Sequence, residues 1–139
     1  MKCVWSTLLA LASVLGVGVA PVSAHHAFAA EFDANAPIKL KGKVVKMEWI
    51  NPHSWITMEV KGADGKIETW MVEGGAPSAL LRRGFTKDSL PPGTEIVVEG
   101  FKAKSGQRKA NGRDILFPDG RKLFVGSSGT GAPDERPEK

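Results

Sequence analysis

The strongest constraint in this sequence is a period-two alternation that loses its phase once. Between residues 40 and 49 the apolar positions run Leu40, Gly42 and Val44, then Val45, Met47 and Trp49, so two of them stand side by side. Successive side chains of a strand point to opposite faces. One inserted residue, a β-bulge, shifts that phase without ending the strand. A long strand that bends at a bulge suits a curved sheet better than a flat one.

The remaining elements read in the same way. Asn51-Pro52 turns the chain. Residues 54–61 form a second strand, with Ile56, Met58 and Val60 on one face and Trp55, Thr57 and Glu59 on the other. Gly62-Ala63-Asp64-Gly65 makes a hairpin connection to a third strand over 66–73. After Gly74-Gly75, Pro77 suits a first helical turn, and a short helix over 78–83 stops at Gly84. Leu90-Pro91-Pro92-Gly93 leads into a fourth strand over 95–102, with Ile96 and Val98 inward. Residues 104–112 read as a polar, basic loop. Ile115-Leu116-Phe117 and Leu123-Phe124-Val125 flank the turn Pro118-Asp119-Gly120 and close the fold. The expected class is all-β with one short helix: an OB-fold-like small Greek-key barrel of five to six strands, covering 39–125. An open antiparallel sandwich of the same strands is the alternative. From Gly126 the chain is Gly, Ser, Pro and charge, which reads as a disordered tail over 126–139.

Ahead of the domain, Lys2 precedes an uncharged apolar run over 4–20, Pro21 and the small-residue site Val22-Ser23-Ala24. This is the pattern of a cleavable export signal over 1–24. A retained membrane anchor needs about 20 strongly apolar residues, and Ser6, Thr7, Ser13, Gly16 and Gly18 dilute this run. No later segment is long and apolar enough to span a membrane. The expected location is the periplasm. The chain has a single cysteine, Cys3, which leaves with the signal, so no disulfide or thiolate ligand is expected afterwards. Removing Lys2 from 19 basic residues against 15 acidic ones leaves a net charge of +3. That is mild, and no nucleic-acid partner is expected. Arg82, Arg83, Lys102, Lys104, Arg108, Lys109 and Arg113 read as a solvated basic face.

Three histidines are placed suggestively. Cleavage after Ala24 makes His25 and His26 the first two residues of an irregular leader over 25–38, and His53 follows the Asn51-Pro52 turn. A free N-terminal amine and the ring of the same histidine close a chelate on one metal. The amine titrates near about 8 and imidazole near about 6.5, so both lose protons to a metal at little cost at neutral pH. Planar nitrogen donors suit Cu(II). The strand over 40–49 spans roughly 33 Å and an extended 14-residue leader at most about 50 Å, so His25 can reach the loop of His53. The expected metal ligands are His25, His26 and His53, with Glu73 a further donor to consider. The alternative is a binding face without metal, made by Trp49, Asn51, Trp55, Trp70 and Glu73, for a small molecule, a glycan or an envelope protein partner. No Gly-x-Ser-x-Gly, His-Glu-x-x-His or phosphate-binding glycine loop is present. The chain therefore reads as a binding protein with no recognised catalytic constellation.

His25-His26-Ala27-Phe28, Phe32-Asp33, Trp49-x-Asn51-Pro52-His53, Trp70-x-x-Glu73 and Gly93 before the fourth strand resemble an uncharacterised family of small exported bacterial proteins, a domain of unknown function. The resemblance covers nearly all of residues 25–125. It implies a periplasmic domain and no assigned activity. The leading histidine also resembles that of exported copper-handling proteins of the histidine-brace type, an analogy resting on His25 and the fold type.

Overall fold

The computed structural model describes residues 25–127 and 132–133, with the backbone alone for 25–27. The export signal expected over 1–24, and the tail at 128–131 and 134–139, lie outside the described residues. The order is α1 (His25–Glu31), β1 (Phe32–Glu48), β2 (Trp55–Lys61), β3 (Ile67–Glu73), α2 (Pro77–Arg82), β4 (Glu95–Ala103), β5 (Lys109–Leu116) and β6 (Lys122–Phe124).

β1 is the strand on which the sheet turns. Its C-terminal half pairs antiparallel with β2, from Gly42↔Val60 to Glu48↔Trp55. Its N-terminal half pairs antiparallel with β4, from Phe32↔Ala103 to Lys43↔Glu95. The register against β2 shifts between Val44 and Lys46, so the bulge lies where the sequence loses phase. The extra residue, Val45, points out and is 42% exposed, rather than inward as its apolar character suggests. Beyond it Met47 and Trp49 pack against the core.

The sheet closes through an unusual pair. β3 meets β5 in parallel, at Met71↔Lys109, Val72↔Ala110 and Glu73↔Asn111, while β5 also pairs antiparallel with β4. Hydrogen bonding therefore runs in a ring, β1-β2-β3-β5-β4 and back to β1, with β6 added beyond β5. The fold is all-β, in keeping with the OB-like architecture read from the sequence. Its interior holds Leu40, Val44, Ile56, Met58, Trp70, Val72, Ile96, Val98 and Ile115. Leu80 of α2 and Phe85 add to the same core. α2 carries Pro in its first turn, and Gly84 follows it at φ +78°, the left-handed conformation that ends helices.

Two expectations change. The leader is ordered: its first half is α1 and its second half extends β1 back to Phe32. α1 thus joins α2 as a second short helix among the described residues. Phe28 and Phe32 drive this, burying their rings against Phe101 and Ala103. Residues 109–112, read as loop for their polarity, are the start of β5. Ala110, Asn111 and Gly112 are buried there because the ring closes over them. At the C-terminal end of the described residues, the Gly126 carbonyl accepts from Arg83 and Ala132 packs on the Phe28 cluster. No helix among the described residues is long and apolar enough to cross a membrane.

The pairing of β1 with β2 brings backbone close at Gly42, where an added Cβ would lie 2.0 Å from the Glu59 carbonyl oxygen. A strand glycine in such a place marks a site where another backbone comes near. Gly42→Ala is expected to lose about 2 kcal/mol or more. Gly106→Ala, at φ +77° with nothing within 4 Å of the added carbon, should lose only about 1 kcal/mol. Urea denaturation of both variants checks this, and equal losses would show that the close approach is not what Gly42 serves.

Candidate functional site

One register row of the sheet carries the polar residues that the core does not absorb. The pairings Phe101↔Asn111, Asn111↔Glu73, Glu73↔Trp55 and Trp55↔Glu48 run across β4, β5, β3, β2 and β1. Paired residues share a face, so these five side chains line the outside of the ring where it closes. Glu73 and Asn111 are nevertheless only 7% and 4% exposed.

His53 is held at the end of this row by backbone. Ser54 donates its N–H to the Gly75 carbonyl at 3.0 Å, and Gly74 donates back to the Ser54 carbonyl at 2.8 Å. The Ser54 hydroxyl also donates to the Gly75 carbonyl at 2.9 Å. The Asn51–Pro52 bond before it is cis. The result sets His53 Nδ1 3.4 Å from Glu73 Oε1 and 3.4 Å from Ser127 Oγ.

Burial holds the Glu73 carboxyl above the usual carboxylate range. His53 pulls it down, nearby Glu31 pushes it up, and Lys109 and a hydrogen bond from the Asn111 amide pull it down again. Glu31 is the last residue of α1 and is ion-paired with Lys109. The Lys109 ammonium sits 4.7 Å from the centre of the Trp55 ring. The leader is further moored by Lys104, whose N–H donates to the Glu31 carbonyl at 2.9 Å and whose ammonium donates to the Ala29 carbonyl. α1 therefore ends at the same cluster as His53, not across the ring from it.

Of the residues singled out from the sequence, the structure brings together His53, Glu73 and Trp55. His25 and His26 open α1, with side chains outside the described residues. Asn51 is exposed on the turn. The tryptophans do not share a face: Trp70 is in the core with its indole N–H on Glu68, and Trp49 stacks on Phe85 at 6.3 Å. Only Trp55 belongs to the row. The basic residues do not form a bare patch either. Arg108 pairs with Glu68, Arg113 with Asp114 and Lys109 with Glu31, and Arg83 lies over Phe124. Asn111 and Glu31 are additions that sequence reading missed. Asn111 sits in a stretch that looks like loop, and Glu31 in a leader without strand periodicity.

Chemically, the cluster sets a carboxylate and a hydroxyl against one nitrogen of an imidazole. Glu73 and Ser127 both face Nδ1 of His53, whereas a nucleophilic relay needs hydroxyl and carboxylate on opposite ring nitrogens. Among the described residues no group of three His, Cys, Asp or Glu side chains is placed to hold a metal.

The family model for a family of unknown function, DUF6152, matches residues 12–112. The chain belongs to this family. The DUF6152 span takes in α1, β1 to β4 and the first residues of β5, so it includes His53, Glu73, Lys109 and Asn111 and stops short of Ser127. No curated protein and no solved structure matches the chain.

The raised Glu73 pKa has a direct consequence. A carboxyl that binds its proton more tightly when folded than at its ordinary 4.5 stabilises the fold most below that value, and the contribution is lost as pH rises through the folded pKa. In a His53→Ala background, which removes the charge partner that pulls the carboxyl down, stability should fall over this window with Glu73 present. It should stay level with Glu73→Gln. Urea denaturation from about pH 4 to about pH 8 reads the slope, and parallel curves would contradict the assignment.

Proposed function

We propose that this chain is an exported, non-catalytic binding protein of the periplasm. It takes a transition metal ion, Cu(II) in first place, through His53 and the histidine exposed when residues 1–24 are removed. The observation that carries this reading is the anchoring of α1. The helix begins at His25 and ends at Glu31, whose partner Lys109 lies over Trp55 beside Glu73 and His53. Seven helical residues span about 9 Å, so a new terminus at His25 is no farther than that from Glu31, and the proposal needs α1 to run toward the His53 turn.

The donor chemistry agrees. An amine and an imidazole on one residue chelate without a large proton cost at neutral pH, and a third nitrogen from His53 completes a set that suits Cu(II). His26 is the other donor within reach. The reading without metal, a Trp-lined face for a small ligand, glycan or envelope protein, is left with Trp55, since Trp49 and Trp70 are committed to the core.

Titration of the processed protein with Cu(II), by calorimetry, tests the proposal. His25→Ala, His53→Ala and a form with one residue added ahead of His25 should each weaken binding by at least about tenfold. Unchanged affinity in the extended form would show that the terminal amine takes no part.

A further inference from the structure

Resting on that reading, we infer that Glu73 is a positioning residue for the metal site: it holds Nδ1 of His53 and turns Nε2 outward as the coordinating nitrogen. The contacts decide which ring nitrogen is free. Both polar contacts of the ring among the described residues, Glu73 Oε1 and Ser127 Oγ, are made to Nδ1 at 3.4 Å. A carboxylate facing Nδ1 is on the wrong side of the imidazole to share a metal bound at Nε2, so Glu73 is not itself a ligand.

Glu73 is built for a fixed rather than an adaptable role. Its backbone is paired on both sides, with Trp55 of β2 and Asn111 of β5. Its carboxylate takes a hydrogen bond from the Asn111 amide, and it is 7% exposed. His53, at 28% side-chain exposure, is the partner that reaches solvent. A metal-bound histidine almost always donates its other ring N–H to an oxygen acceptor, which selects the tautomer and raises the basicity of the ligating nitrogen. Here the carboxylate oxygen that faces Nδ1, at 3.4 Å, is Glu73 Oε1 of β3, and its place beside the loop between β1 and β2 follows from the Ser54–Gly75 bonds.

Three variants of the processed protein, Glu73→Gln, Glu73→Ala and His53→Ala, separate this inference from the reading beneath it. Cu(II) titration should show Glu73→Ala weaker by about 10- to 100-fold, with Glu73→Gln recovering part of the loss because its amide oxygen still accepts. In the metal-free protein, long-range nitrogen–proton NMR of the His53 ring should show the Nδ1–H tautomer in the parent and in Glu73→Gln. Nε2–H should predominate in Glu73→Ala. A merely structural role for Glu73 would not move the tautomer. Should Glu73→Ala fail to fold, the tautomer in the parent still decides: Nε2–H there overturns the inference. If Glu73→Ala binds as the parent does while His53→Ala loses binding, the inference fails and the metal reading stands. If His53→Ala also binds as the parent does, both fall.

Discussion

The parallel pairing of β3 with β5 is the constraint on which the rest depends. Without it the chain is an open sheet in the order β3-β2-β1-β4-β5-β6. With it, Val72 and Ala110 become fully buried neighbours, and Glu73 and Asn111 come side by side on the outer face. Such a pair is costly to form, because a long stretch of chain must be ordered before the contact rewards it. The compensation lies inside the ring, where Ile56, Met58, Val72, Val98 and Ile115 are almost wholly removed from water. Burial at roughly 25 cal/mol per Å² of apolar surface makes that interior the main driving force.

The same closure explains why a polar site can be nearly buried on the outside of a sheet. The row from Phe101 to Glu48 gathers residues from five strands, and α1 is fastened beside it by the Glu31–Lys109 pair and by the Phe28–Phe32–Phe101 cluster. A buried carboxylate is expensive unless it has partners. Glu73 has His53, Lys109 and Asn111, and that dependence ties the leader, the turn at Asn51–Pro52 and the closing strand into one unit. The ion pairs elsewhere, such as Lys43–Glu95 and Lys66–Asp64, are exposed and add little to stability.

Much of the fold was legible residue by residue. The doubled apolar pair at Val44-Val45 located the bulge, and Pro77 and Gly84 bounded α2. The alternation of Ile56, Met58 and Val60 assigned the inner face of β2. That the bulge turns Val45 outward was not legible, since hydrophobicity cannot say which of two adjacent residues a bulge exposes. The leader was misread as irregular because Phe28 and Phe32, although four apart as on one helix face, are a single pair, too short a pattern to assign an element. Their order comes from packing on Phe101 and Ala103 of β4. At the site, His53, Glu73 and Trp55 were visible as residues, but nothing local linked them to Asn111 or Glu31.

What the sequence determined by itself is everything set by neighbours a few positions apart: strand phase, turn chemistry, the short helix, and a histidine following an apolar export-like segment. Only the tertiary structure decided which strand closes the ring, which nitrogen of His53 the protein occupies, and which tryptophan faces the site. The physical reason is one of range. Periodicity and turn propensity act through adjacent dihedrals, whereas the pairing of Glu73 with Asn111 and of Glu31 with Lys109 depends on contacts between segments far apart in the chain, about which a local pattern carries no information.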